Sequence, residues 1–151
     1  MITLLVTGSR TWKHQEFLET RVWDVLGRVT DSWLDPVYLR HGGAAGADSY
    51  ASVLCRAHPW KFSEQVYLPD YPTHGNAAPL LRDMEMVDDG AEACVAFIRD
   101  NSRGATFTAN RAFMMKIPVW EYHYNSDRDT MKAYYRSNKE GIDERPIGTQ
   151  G

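Results

Sequence analysis

The sequence predicts an α/β domain, a Rossmann-like three-layer α/β/α fold around a five-stranded parallel sheet in the order 3-2-1-4-5. Apolar runs bounded by turn residues alternate with segments of helical period, which is the pattern of successive βαβ units. The first run, Ile2–Thr7, is almost unbroken in its apolar character, as a strand covered on both faces would be. Right-handed crossovers between such strands then yield the stated order.

The elements follow in turn. Ile2–Thr7 is the first strand and stops at Gly8-Ser9-Arg10. Phe17, Leu18, Val22, Val25, Leu26 and Val29 recur at helical spacing and make the first helix. Val37–Leu39 resumes as strand, Ala47–Ala57 is helix, and Gln65–Leu68 is the third strand, followed by the turn-rich PDYPTHGNA. A helix over Ala77–Asp88 carries Leu80, Leu81, Met84 and Val87 on one face and leads to the strand ACVAFI. After the loop RDNSRG come a helix over Ala105–Lys116 and the last strand, PVWEYH, whose proline is tolerated because it stands first. Beyond Asn125 the chain turns polar, and a short helix near Asp127–Tyr135 followed by a mobile tail is expected. The predicted organisation is one domain over residues 1–124 with a C-terminal extension over 125–151.

Composition narrows the function classes. A chain of 151 residues with 43% hydrophobic content buries one core and little more. A net charge of −3 opposes a sequence-independent grip on nucleic acid, so local charge must carry any anion binding. The start has none of the parts of a signal peptide, and no apolar run is long enough to span a bilayer, so a cytoplasmic protein with no membrane partner is expected. Cys55 and Cys94 sit among apolar neighbours and read as core thiols. His14, His41, His58, His74 and His123 are scattered singly, so neither a metal site nor a cofactor is expected.

In open parallel sheets, ligands bind beyond the carboxyl ends of the strands where strand order reverses. The residues at those ends are Gly8, Ser9 and Arg10, then Arg40 to Gly46, then Asp70 and Tyr71, then Arg99 to Gly104. This edge gathers Arg10, Arg40, Arg99 and Arg103 with two glycine-rich turns, and a positive rim on an acidic protein implies a small anionic ligand. The turn LRHGGAAGAD is either a phosphate cradle or a plain β-to-α connection. Gly42 and Gly43 allow backbone angles that a Cβ forbids, Gly46 permits close approach, and N–H groups at a helix start stabilise phosphate. Asp48 either caps those N–H groups or accepts from a ribose, and the helix start favours its ionised form. Ser9 reads as phosphate ligand, helix cap or both. Arg82 is an ordinary helix arginine or a site residue following a long loop. Trp12, beside GSR, is the tryptophan best placed to stack on a base.

Together VTGSR, HGGAAGAD, RDMEM and ACVAF resemble the SLOG superfamily, which includes the lysine decarboxylase-like phosphoribohydrolases and the DNA-processing protein DprA. Within it the likeness is to the YspA-type, cpYpsA-related family, a domain of bacteria and phages, and it runs from about Ile2 to Val119. It implies a pocket for a nucleotide or nucleotide-derived ligand. Carried over by motif, Gly8, Ser9 and Arg10 form a first wall, and Gly42, Gly43, Gly46 and Asp48 the phosphate-binding turn. Arg82 matches the arginine of an R-x-x-x-M element with Met86 as its apolar partner. Gly104 and Thr106 resemble a second Gly-Thr element that Ala105 interrupts.

The chain departs from the hydrolase branch of that superfamily, where the second element carries a catalytic glutamate. RGATFTANRA has Ala109 or Asn110 near that position and no carboxylate. Glycosidic cleavage needs a carboxylate to stabilise its oxocarbenium-like state or to activate water. The expected function is therefore binding of a nucleotide-derived ligand, by a sensor or sequestering protein. The alternative is a nucleotide N-glycosidase, with Asp48, or failing that Asp83, as the carboxylate. Single-stranded DNA binding ranks third, since it requires a longer basic groove with stacking aromatics. Self-association through FTANRAFMM stays open, because the same apolar face would also cover the sheet.

Overall fold

A computed structural model describes residues 1–137 and, by backbone alone, 143–150. The chain runs β1 (Ile2–Gly8), α1 (Gln15–Val29), β2 (Val37–His41), α2 (Ala47–Ala57), β3 (Phe62–Val66), α3 (Tyr71–His74), α4 (Ala78–Asp88), β4 (Ala93–Arg99), α5 (Arg103–Met114), β5 (Val119–Asn125), β6 (Thr130–Ser137) and β7 (Asp143–Gln150). All strands join one sheet in the order β3-β2-β1-β4-β5-β6-β7.

Successive strand residues face opposite sides of a sheet, and here both sides are apolar. Leu4 and Val6 of β1, with Val95 and Phe97 of β4, enter one cluster with Leu18, Val22 and Val25 of α1 and Ala51 and Leu54 of α2. Leu5, Cys94, Ala96 and Ile98 enter the other with Met86 and Val87 of α4 and Ala109, Ala112 and Phe113 of α5. Three layers result, as the unbroken apolar strands require. The apolar side of α5 is spent on the sheet, while Met114 and Met115 just beyond it stay exposed. Both cysteines are free and buried, and burial pushes the Cys55 thiol up to about 12 and the Cys94 thiol higher still.

The expected order 3-2-1-4-5 stands inside a larger sheet than a five-stranded one. β1 to β5 pair in parallel, and β5–β6 and β6–β7 add antiparallel pairs at one edge. Where a short helix is expected near Asp127–Tyr135, a tight turn leads into β6. Asn125 Oδ1 accepts from the Asp127 and Arg128 amides at 3.0 and 3.1 Å, and Asp129 takes the left-handed conformation (φ 51°). Period-two burial of Met131 and Ala133 against Trp120 and Tyr122 then outweighs helical propensity. Part of the expected mobile tail is strand β7; residues 138–142 and 151 lie outside the described residues. The third strand begins three residues earlier than expected. β3 is an edge strand whose Phe62 is buried while Val66 is exposed, so its composition reads as polar.

Lys61 holds the outer loop to that edge. Its side chain is 3% exposed, and Nζ donates to the carbonyl oxygens of Trp33 at 2.9 Å and Asp35 at 2.6 Å. Lys61→Met leaves two carbonyls without their charged donor and is expected to lower stability by about 1.5–3 kcal/mol in urea titrations. A loss under about 0.5 kcal/mol, the range of ordinary surface substitutions, would refute this role.

Candidate functional site

A cleft of about 440 Å³ opens at the carboxyl ends of β1 and β4, where the order of strands reverses. One wall is the β1–α1 turn, with Gly8, Ser9 and Arg10. The floor is Ala44 and Asp48 at the start of α2. The far wall is the first two turns of α4 with Pro79, Leu80, Arg82 and Asp83, and Asn76 before it. The start of α5 contributes Ser102, Gly104 and Ala105.

Of the residues expected here, Gly8, Ser9, Arg10, Asp48, Arg82 and Gly104 meet around this space. Gly8 is fixed by close packing, since a Cβ there would stand 2.5 Å from both the Ala47 Cβ and the Phe97 carbonyl oxygen. Ser9 ties the two central turns together. Its Oγ accepts from the Arg99 amide at 2.8 Å and shares a short hydrogen bond with Ser102 Oγ. Arg10 is exposed at the cleft wall, and its side chain has no protein partner among the described residues.

The glycine turn departs from the phosphate cradle expected of it. The Gly42 and Ala44 amides donate to Asp48 Oδ2 at 3.1 and 3.2 Å, and the Gly43 amide donates to His41 Nδ1 at 3.0 Å. His41 Nε2 in turn meets Glu64 Oε2 at 2.5 Å. Three of the turn's N–H groups, those of Gly42, Gly43 and Ala44, are thus spent inside the protein. Gly43 packs towards Val66 and Leu68, and Gly46 passes under the Ser9 and Arg10 carbonyls, so neither lines the cleft. Helix-start amides also border the cleft at α5, where Gly104 and Ala105 in the first turn have no intrahelical acceptor. Thr106 lies one residue further, its amide bonded to the Ser102 carbonyl, and is outside the lining.

Of the four arginines expected at the rim, Arg40 and Arg99 are structural, and Arg103 is exposed and outside the cleft lining. Arg40 is buried and donates to the Gly90 carbonyl at 2.6 Å and the Met86 carbonyl at 3.3 Å, bracing β2 against α4. Arg99 donates to the Thr11 carbonyl at 3.0 Å. Arg82 is 7% exposed, and its Nη1 donates to the carbonyl of Gly42, in a short bond, and to that of Tyr67 at 3.2 Å. Its Nε meets Asp83 Oδ1 at 2.6 Å, and Asp83 Oδ2 accepts from Thr108 Oγ1 at 3.0 Å. Arg82 is a strut between the glycine turn and α4, with two of its three nitrogens committed. Trp12 is likewise removed from base stacking. It is 1% exposed, packed on Phe97 with ring centroids 5.3 Å apart. Tyr71 is half-exposed and outside the lining.

Asp48 is the chemical centre of the cleft. Oδ2 takes two amides, while Oδ1 is buried and has no partner among the described residues. Burial raises the carboxyl above its ordinary value, and the Asp83 charge adds to the rise; the Ala44 amide, His41 and Arg82 offset only part of it. The helix-start preference for an ionised Asp48 is therefore outweighed by desolvation. Because the folded-state value is raised, ionisation opposes folding. Asp48's favourable contribution is full below the ordinary value of 3.8 and is lost as pH rises through the folded-state value. Asp48→Asn is expected to be more stable than the parent near pH 7, the gap closing below pH 3.8. Thermal melts across pH would overturn this if the variant were the less stable at neutral pH.

Asn76, Pro79 and Leu80 are among the cleft residues that sequence reasoning did not place at the site. The signal available was position: each stands just before or within the first turn of a helix that follows a strand-end loop. Among the described residues no cluster of three or more potential metal ligands occurs, and no helix is long and apolar enough to cross a membrane.

No family model matches the chain. It is similar to the Gene 61 protein of Mycobacterium phage D29, with 34% identity over 122 residues, covering 79% of this chain and 94% of the phage protein. With that identity sustained over nearly the whole phage protein, the chain belongs to the Gene 61 protein family.

Proposed function

We propose that the cleft binds a nucleotide or nucleotide-derived small ligand, as the likeness of VTGSR, HGGAAGAD and RDMEM to the SLOG superfamily implies, in a protein that senses or sequesters it. The observation that carries this reading is the cleft of about 440 Å³ itself, where Arg10 has no partner among the described residues and stands with Asp48 and the start of α5. Asp48 Oδ1 is buried without a described donor, which costs about 1–3 kcal/mol, and a ligand hydroxyl that displaced its cover would remove that cost. The volume suits a small-molecule site. In this reading a ribose hydroxyl donates to Asp48, and the phosphate takes Arg10 with the Gly104 and Ala105 amides. The base lies against Pro79 and Leu80. Mass spectrometry of small molecules released on denaturing the purified protein should find a nucleotide-class compound, absent from Arg10→Ala preparations.

One observation favours a second reading, hydrolysis of a nucleotide N-glycosidic bond. The carboxyl raised by burial at Asp48 is a candidate proton donor, and Asp83 supplies a second carboxylate in the same cleft. Asp83 is bound by Arg82 and Thr108, which suits it to charge stabilisation rather than to activating water. Binding without turnover thus remains the primary reading. Incubation with nucleoside monophosphates and dinucleotides, followed by chromatography for free base, separates the two. Base release that disappears in Asp48→Asn would establish the hydrolase.

A further inference from the structure

We propose a second site, separate from the central cleft, that binds the phosphate of a nucleotide and stacks its base. It is a cavity of about 510 Å³ beyond the end of β5, on the far side of the loop that also borders the central cleft. Directly opposed residues of an antiparallel pair share a face, and the register sets Asn125 against Thr130, His123 against Lys132 and Glu121 against Tyr134. The opposite face of this ladder is core, with Trp120, Tyr122, Met131 and Ala133. The polar face is covered at one end, where Arg136 lies over the Phe113 ring of α5 at 4.4 Å. Past that point it opens into the cavity.

The charges there are unequal in their commitments. Asp100 accepts from the Ser126 amide at 2.8 Å and its hydroxyl at 2.6 Å. Asp129 accepts from Tyr124 OH at 2.7 Å, and Glu121 pairs with Arg136 at 3.2 Å and with His123. Arg128 and Lys132 are exposed, line the cavity, and have no side-chain partner among the described residues. Two cations with no described partner therefore share the cavity with Tyr134, whose ring stands edge-on to His123 at 5.6 Å and presents an aromatic surface for stacking. At the rim, Asp100 and Asn101 both hold left-handed backbone (φ 50° and 53°), which Asp and Asn tolerate better than other non-glycine residues. Cations beside a stacking ring recognise a phosphate joined to a base.

Amide chemical shifts test the assignment by titration with adenosine 5′-monophosphate, with a four-residue thymidine oligonucleotide, and with inorganic phosphate. The expected result is perturbation at Asn101, Lys132 and Tyr134 by one or both nucleotide probes, retained in Asp48→Asn. Each of Arg128→Glu and Lys132→Glu should weaken it about fivefold, and both are exposed enough to leave the fold intact. Response to the mononucleotide marks a free nucleotide as the source, and response to the oligonucleotide alone marks a strand. No shift at these amides with either nucleotide probe overturns the site, and equal perturbation by inorganic phosphate overturns the assignment to nucleotides. Because Asp48→Asn weakens the central cleft alone, failure of one site is distinguishable from failure of the other.

Discussion

Replacing Arg82 with alanine is expected to destabilise the fold by about 3–5 kcal/mol, the cost of removing one partner from a buried ion pair. The guanidinium is 7% exposed, and it joins three segments: Gly42 and Tyr67 through their carbonyls and Asp83 through its carboxylate. Alanine leaves Asp83 with Thr108 Oγ1 alone and the Gly42 carbonyl without its donor. Against a typical total of about 5–15 kcal/mol, this loss is a large fraction of stability. Arg82→Lys restores charge but not the fork and should recover only part of it. Chemical denaturation checks this, and an Arg82→Ala midpoint within error of the parent would show that the strut contributes little. The prediction also separates Arg82 from Arg10, whose replacement should leave the denaturation curve unchanged.

Gly46→Ala should cost about 3 kcal/mol or more, for two independent reasons. Gly46 has φ 72° and ψ −122°, a region that side chains almost never occupy, and strain of this kind costs about 1–3 kcal/mol. A Cβ would also overlap the carbonyl oxygens of Ser9 and Arg10, and backbone on both sides leaves nowhere for it to go. The expected consequence reaches the cleft, because the Ala47 amide bonds to the Ser9 carbonyl at 3.2 Å and sets where α2 begins. Gly27→Ala is the control. It lies inside α1 with nothing within 4 Å of a Cβ, and should stabilise by about 0.5–1 kcal/mol. Equal stabilities for the two variants would refute the close-approach argument.

Much of this architecture was legible because period and burial coincide in the middle of the sheet. β1 and β4 are apolar on both faces, so their limits and their neighbours in the sheet follow from pattern alone. Legibility fails at the edges, where one face is wet. β3 reads as polar, and the Met131–Ala133 alternation of β6 is short enough to pass for a helix start. The site was legible to the same depth. Strand ends place Gly8, Ser9, Arg10 and Asp48 together, because that depends on topology. Which way the turn's amides point depends on a side chain, and Asp48 turns those of Gly42 and Ala44 inward, so the glycine turn itself offers the cleft little. Arg40 and Arg82 became struts for a similar reason, since each finds backbone carbonyls that no spacing rule reveals.

In the proposed reading, the cleft between the β1 turn and the α5 start holds a nucleotide-derived ligand through Asp48 and Arg10. Calorimetric titration of mono-, di- and cyclic nucleotides into the parent protein, Arg10→Ala and Asp48→Asn tests it most directly. At least one nucleotide should bind the parent. Removing a charge-assisted contact worth about 1.5–3 kcal/mol should weaken binding by about ten- to hundredfold in each variant. No heat of binding from any nucleotide in the parent, or equal affinity in parent and both variants, would contradict the account.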